Sequence, residues 1–543
     1  MANDATGSSG IFRRAGSTFV GVSFLLIGFI LFIARAAELL RDPYDVARVW
    51  QSFDIANELI RVHYIAWHTE LSIMSGGTVP APFLQEFPAV QYAACLIHQL
   101  ARLPIPESAQ LTYTFVALAS AAVWVKYSLS LPTDMQVRLF TSGIIFFIPG
   151  FLRFGGMAVP DSVVFLINLI GGTLIIRGRR ENKSGQIILG AALIGGAVLL
   201  KTPAFVPAAL VGFALLLEKR WRATLAMLGG AIPGVLWAAI ASVVNRSAVS
   251  VNEFARLGAT RDWWWNPHLY QQLWWYRNIT FTLYDTLGLF GVAFLIWIAL
   301  SSRRRKNAQF EYILLLGPVV ATFIVFNYHS ATHPYYALIW LPFTMLGSVE
   351  LALKTTRPAF NLRPAWPALL GVLACLAALN LVERQLAVLE RVVGKPTNGP
   401  RIFSSHAKHE ETSQTRLAHA ALLSIKDKAQ FIAYLGDDRD SFLDVGARGW
   451  FVLAPAPTVD SKLHVTPSVI HVTPTVIKEE EWRRIDVKWF DERINRGLGA
   501  VLIELNGSLD NPEILKSAKA AGLREEESHP PKGYRLLWPA FIK

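Results

Sequence analysis

Apolar runs of bilayer-spanning length recur from the N-terminus to about residue 384, and they constrain the fold more than any other feature. They lie at 17–34, 88–103, 109–125, 137–152, 159–177, 185–200, 203–217, 223–244, 279–300, 311–329, 335–353 and 365–384. Lipid offers no hydrogen bonds, so a segment of about 20 residues crosses it as a helix that satisfies its own backbone. The expectation is an all-α polytopic membrane protein with about 11–13 transmembrane helices. Composition agrees, with 52% hydrophobic residues and only 17% charged. The first run follows Arg13 and Arg14, and Ala34-Arg35-Ala36 resembles a signal cleavage site. The run exceeds a signal core in length and reads as a retained first span.

The net charge is +12. In a membrane chain such an excess collects in cytoplasmic loops, so no nucleic-acid partner is inferred. RGRRENK (177–183), EKRWR (218–222), SSRRRK (301–306) and KTTR (354–357) are those loops, with the N-terminus on the same side. The segments 38–87, 245–278 and 330–334, the turn at 201–203, the approach to residue 159 and everything beyond 385 then lie outside. An inside N-terminus and outside C-terminus require an odd number of crossings, but the runs make an even number. The short run 88–103, with His98 and Arg102, is the one that need not span. The two cysteines, Cys95 and Cys375, lie in apolar runs and imply no disulfide framework or metal site.

Beyond residue 385 the pattern changes. FIAYLG (431–436), GWFVLAP (449–455) and AVLIEL (500–505) read as strands, and 440–448, 480–496 and 511–522 as helices. The division expected is a transmembrane catalytic domain over 1–385, with outer loops 38–87 and 245–278, and an extracytoplasmic α/β domain over 386–543. That domain has no Gly-rich phosphate loop.

Ionisable groups at membrane depth are costly, which makes each a functional candidate. The charge-based topology brings Asp54, Glu58, Glu86, Asp161, Lys201, His329 and His333 to one face, although they are far apart in sequence. Blander roles exist: Asp161 as a helix N-cap after Pro160, Lys201 snorkelling to the interface, Glu58 simply solvated. The outer loop also holds RDWWWNPHLYQQLWWYR. Its Trp263, Trp264, Trp265, Trp274 and Trp275 suit an interfacial anchor or the wall of a groove for a lipid-linked substrate. Arg256, Arg261 and Arg277 could contact a phosphate there.

Five segments taken in order resemble the GT-C membrane glycosyltransferases, in the bacterial branch related to the protein O-mannosyltransferases and lipid A aminoarabinose transferases. They are WQSFDIANELIR (50–61), LQEFPAVQYAACLIHQL (84–100), AVPDSVVFLINLIGGTLIIRG (158–178), LLKTPAFVP (199–207) and HPYYALIWLPFTMLG (333–347). Gln51 stands where that branch carries arginine, Phe53 where it carries alanine, and Ala337 where it carries leucine.

The resemblance implies transfer of a sugar from a polyprenyl-phosphate donor to a glycan, lipid or protein hydroxyl, at the outer face of a bacterial inner membrane. Asp54 would be the base or would orient the acceptor hydroxyl, backed by Glu86 and Asp161 as further catalytic residues. An inverting transfer needs one carboxylate to take the acceptor proton. Lys201, Arg256, Arg261 and Arg277 would hold the departing phosphate, and His333, Tyr335, Tyr336, Trp263, Trp264 and Trp265 would line the groove. Glu86 and Asp161 would either hold a divalent metal with His333 or pair with Lys201; no other cofactor is implied. The competing readings are a flippase of lipid-linked sugars, with charges near the midplane of repeated halves, and an envelope glycan ligase. No repeat is visible.

Overall fold

The computed structural model describes residues 5–41, scattered positions between 52 and 84, and then 86–103, 105–248, 265–302 and 308–355. Beyond these it describes 431–436, 471–476, 488, 500–504, 512–525 and 534–539. The chain forms two compact units. The first comprises Met1–Pro43, Gln110–Trp237 and Arg261–Ala407, and the second Tyr44–Ala109, Ala238–Thr260 and Lys408–Lys543.

The helices run in chain order as α1 (Ala5–Arg41), α2 (Ala89–Ala101), α3 (Ile105–Leu129), α4 (Met135–Ile144), α5 (Pro149–Phe154), α6 (Pro160–Arg180) and α7 (Ser184–Leu200). They continue as α8 (Phe205–Leu217), α9 (Trp221–Ala248), α10 (Leu273–Ser302), α11 (Gln309–Val325), α12 (Asn327–Thr332) and α13 (Ala337–Thr355). Among the described residues, four helical stretches are long and apolar enough to cross a membrane: Glu107–Leu129, Pro160–Arg180, Trp221–Asn245 and Pro334–Lys354. Shorter apolar helices accompany them at Gly21–Ala37, Met135–Phe147, Ser184–Leu200, Thr202–Leu217 and Gln309–Val325. The protein is a polytopic helical membrane protein. The apolar run 365–384 lies outside the described residues.

Three of the expected runs take particular forms. The run 88–103 makes only the 13-residue helix α2, about 20 Å long, which is too short to span. It ends at Arg102 in left-handed conformation (φ 55°), whose N–H caps the His98 carbonyl. The run 137–152 is broken. Ile148 precedes Pro149, proline disfavours helix at the residue before it, and the backbone there is extended (φ −76°, ψ 113°) before α5 restarts. The run 279–300 bends by 92° about Gly288, whose φ of 69° is open to glycine at little cost.

Packing in the first unit depends on glycine. A Cβ on Gly190 would meet the Gly171 carbonyl, one on Gly195 the Met227 carbonyl, and one on Gly230 the Ala192 carbonyl. Helix α7 is thereby held against α6 on one side and α9 on the other at backbone contact, as small residues permit inside membranes. Helix α13 lies at the centre, with 83% of its spanning window buried against 28% for that of α9. Asn168 of α6 donates to the Ile339 carbonyl (3.0 Å), and Thr344 donates to the Leu315 carbonyl (3.1 Å). Helix α1 joins through aromatic stacking of Phe24 on Phe140 and Phe147 and of Phe32 on Phe151.

In the second unit, Phe53, Ala56 and Leu59 are fully buried, an apolar stripe at helical spacing in the WQSFD segment. Cys95 of α2 donates to the Ala56 carbonyl (3.2 Å) and Tyr92 to the Tyr64 carbonyl (2.6 Å). Asn245 exchanges two hydrogen bonds with the Leu84 backbone (2.8 and 2.7 Å). A short ribbon pairs β1 (Glu70–Leu71) with β2 (Ala81–Pro82). The expected strands at 431–436 and 500–504 are present as β3 (Phe431–Gly436) and β5 (Ala500–Glu504), paired in parallel. They join β4 (His471–Val476), β6 (Leu523–Glu525) and β7 (Tyr534–Pro539) in a sheet of order β4-β3-β5-β7-β6. Pro474 falls in an edge strand, where a missing N–H is tolerated. The expected helix at 511–522 is α14 (Pro512–Ala520). The expected strand 449–455 and helix 440–448 lie outside the described residues, as does the expected helix 480–496 apart from Lys488.

Candidate functional site

The site in the first unit begins with the turn GMAVPD. Val159 is extended (φ −116°, ψ 137°), as a residue before proline should be, and Pro160 opens α6 at a position where its missing N–H costs nothing. Asp161 therefore sits in the first helical turn, where the helix dipole favours a carboxylate. Ser162 fastens the turn by donating to the carbonyls of Phe154 (3.0 Å) and Met157 (3.1 Å).

Lys201 arrives from the opposite direction. Helix α7 ends there because Pro203 cannot continue it, and Lys201 is the extended C-cap residue (φ −158°, ψ 110°). A cation at a helix C-terminus is favoured by the dipole, as the anion is at the N-terminus of α6. Lys201 Nζ lies 3.3 Å from Asp161 Oδ2, with side-chain exposures of 3% and 0%. Asp161 thus lies in ion-pair contact with Lys201. Among the described residues no three His, Cys, Asp or Glu side chains gather as a metal set.

A ring cluster closes over the pair. His333 precedes Pro334, which starts the one-turn helix Pro334–Tyr336 and delivers both tyrosines. Lys201 Nζ lies 4.7 Å from the Tyr336 ring centre and 6.0 Å from that of Tyr335, within cation–π reach. His329 stacks on His333 (5.1 Å, 18°) and tilts against Tyr336 (5.2 Å). His333 meets Tyr335 edge-on (5.5 Å). Both tyrosines and His329 are buried; His333 is half-buried.

The Trp-rich loop is represented by its second half. Trp265 is half-buried and Arg277 exposed. Trp275 is buried with Leu269 and Ala331 and donates from Nε1 to the Asn327 carbonyl (2.9 Å). Asn327, itself fully buried, clamps the loop: its Oδ1 accepts from the Asn266 N–H (3.0 Å) and its Nδ2 donates to the Asn266 carbonyl (2.7 Å). Asp54, Glu58, Arg256, Arg261, Trp263 and Trp264 lie outside the described residues. Glu86 is half-buried in the second unit, just before Pro88, the N-cap of α2.

No family profile matches the chain, and no curated protein matches it. Solved structures do. ArnT from Cupriavidus metallidurans in the apo state aligns with a TM-score of 0.53 and 13% identity, over 95% of this chain and 98% of that one. The same protein bound to undecaprenyl phosphate aligns with a TM-score of 0.50 and 12% identity, over 94% of this chain and 97% of that one. The chain has the GT-C fold.

Within this GT-C fold a second polar cluster occupies the far end of α6. Arg179 donates to Glu218 (2.9 Å) and Glu311 (2.7 Å), and Lys354 lies 2.8 Å from Glu311. Arg180 pairs with Glu350, which also accepts from the Tyr127 hydroxyl (2.6 Å). The 21-residue helix α6 separates Asp161 from these arginines by about 30 Å, the thickness of a hydrocarbon core.

Two charged residues near the tyrosines escaped the sequence reading. Arg153 of α5 lies 3.6 Å from Asp285 of α10, and its guanidinium stacks 4.9 Å over Phe154. Each is a charge among apolar residues, Arg153 directly after the run 137–152 in GFLRFGG and Asp285 inside the run 279–300 in FTLYDTLG, which is the signal that could have found them.

Proposed function

We propose that this chain is a membrane glycosyltransferase that moves a sugar from a polyprenyl-phosphate donor to a hydroxyl acceptor at the extracytoplasmic face of a bacterial inner membrane. The observation that carries the reading is the gathering of Asp161, Lys201, His329, His333, Tyr335 and Tyr336 at one end of α6, opposite a basic end. A transporter would hold its charges near the midplane. The fold adds support, since ArnT of the same fold is recorded bound to undecaprenyl phosphate.

The chemistry is an inverting displacement. Asp54 takes the proton of the acceptor hydroxyl as its oxygen attacks the anomeric carbon. The bond from that carbon to the donor phosphate oxygen breaks, and polyprenyl phosphate leaves with the electron pair. Positive charge steadies the leaving phosphate, supplied by Lys201 or by Arg256, Arg261 and Arg277 of the outer loop. Glu86 and Asp161 order the site, Asp161 through Lys201. Trp263, Trp264, Trp265, His333, Tyr335 and Tyr336 line the isoprenoid groove. Residues 386–543 form an extracytoplasmic α/β domain, and the N-terminus is cytoplasmic.

The test uses the purified full chain and Asp54→Asn in nanodiscs, a panel of polyprenyl-phosphate sugars and a membrane-glycan extract as acceptor. Release of free polyprenyl phosphate by the wild type, lost in the folded variant, is the expected result. Equal release from both removes Asp54 from the mechanism, and no release across the panel removes the enzyme reading.

A further inference from the structure

We infer that the turn between α8 and α9, with the exposed face of α9 beneath it, holds an anionic membrane phospholipid at the basic end of α6; the inference does not depend on the proposed activity. Helix α8 closes in a Schellman motif. The Lys219 N–H bonds the Leu216 carbonyl (2.8 Å) and the Arg220 N–H the Leu215 carbonyl (2.9 Å). The motif puts Lys219 in left-handed conformation (φ 60°), where glycine is usual and a side chain is strained. Its plain structural role is to meet the dipole at the end of α8. A headgroup contact is the further role, and a glycine substitution tells the two apart.

The basic residues at this end differ in their partners. Arg177 and Lys183 both pair with Glu181 (2.6 and 2.7 Å), and Arg220 lies 3.5 Å from Glu218. Lys219 and Arg222 are exposed, and among the described residues no carboxylate pairs with either. The Arg222 guanidinium instead lies 5.3 Å from the Trp221 ring centre, which leaves its N–H edge open to a phosphate. Below this level Trp221, Leu225, Leu228 and Ile232 follow at helical spacing on one face of α9, each between 55% and 57% exposed. Gly229 puts no side chain between them, and a Cβ there would meet nothing within 4 Å, so the face carries a shallow furrow. Cations, an indole and an apolar furrow thus succeed one another as phosphate, interface and acyl chain do in a lipid. Two cations without carboxylates favour a headgroup of net negative charge over a zwitterionic one, which brings its own ammonium.

The experiment measures binding of phosphatidylglycerol, phosphatidylcholine and undecaprenyl phosphate to the purified full chain by native mass spectrometry. The variants are Lys219→Gly, Arg222→Gln, their double and Arg177→Gln. The wild type should prefer phosphatidylglycerol to phosphatidylcholine. The double variant should lose about tenfold or more of that preference, and each single variant part of it. Lys219→Gly should keep its thermal stability in phosphatidylcholine, because glycine suits the φ of 60°, so its weaker lipid binding cannot come from a damaged turn. Arg177→Gln removes a cation of the same end that already has a carboxylate, and it should leave the preference unchanged. A wild type without the preference, or a double variant that keeps it, overturns the inference. Equal loss in Arg177→Gln also overturns it, since that marks a diffuse basic face and not a site. Stronger retention of undecaprenyl phosphate than of phosphatidylglycerol by Lys219 and Arg222 overturns the assignment to a phospholipid. None of these outcomes bears on Asp54, so the proposed activity stands or falls separately.

Discussion

Lys201 reaches Asp161 from the end of one helix to the start of its antiparallel neighbour, Nζ to Oδ2 at 3.3 Å, with both side chains buried. Removing one member takes from the other its opposite charge in a low-dielectric site. Asp161→Asn or Lys201→Met should each cost about 3–5 kcal/mol, and the double variant should cost less than the sum of the two. Thermal unfolding of the four proteins in one detergent checks this. Independent, additive losses would mean the pair is not coupled.

The amide clamp of Asn327 on Asn266 predicts a local effect. Asn327→Ala leaves two backbone groups of Asn266 without these partners and should cost about 1–3 kcal/mol. Asn327→Asp should do worse, because a carboxylate oxygen then faces the Asn266 carbonyl. Limited proteolysis around 265–275 should accelerate in both variants, while cleavage elsewhere keeps its rate.

Glycine contacts set the spacing of α6, α7 and α9. Gly195→Val and Gly230→Val drive a side chain into a backbone carbonyl and should destabilise by at least about 1–3 kcal/mol. Gly229→Val, where an added Cβ meets nothing within 4 Å, is the control and should be close to neutral. Loss of stability on all three alike would refute the contact argument.

Burial pushes the Cys95 thiol up to about 12. The thiolate is the reactive form, so at pH 8 only about one thiol in ten thousand is ionised. In a Cys375→Ser background, maleimide labelling should stay slow in the folded protein and turn fast in denaturant. The sign for stability follows. A folded thiol held protonated contributes fully below its ordinary value of 9.0, and that contribution is lost as pH rises toward about 12. Rapid labelling at pH 8 without denaturant would contradict the burial.

Legibility differed by kind of signal. Hydrophobic periodicity is local, so the positions of α3, α6, α7, α9 and α13 could be read from runs of apolar residues. Charge in loops is cumulative, so the meeting of Asp161, Lys201, His329 and His333 at one end could be read from four basic clusters. Breaks inside a run were missed, because Ile148 and Gly288 act through dihedral angles that hydropathy does not register. Arg153 and Asp285 were missed for another reason. The reading followed polar residues near turns and outer loops; Asp285 lies within the run 279–300, and Arg153 follows the run 137–152 directly among apolar neighbours. The clamp of Asn327 was invisible, since an asparagine declares its partner only when two distant segments meet.

Helix α6 carries a polar anchor at each end, and both anchors are tied to neighbouring helices. Such a rod cannot slide along the bilayer normal to suit its surroundings. In a thicker membrane Asp161 and the arginines would be drawn into hydrocarbon, and in a thinner one the helix would have to tilt and take its partners with it. The protein is thus matched to a narrow range of lipid chain lengths, and its stability in nanodiscs should pass through a maximum as acyl chains are lengthened.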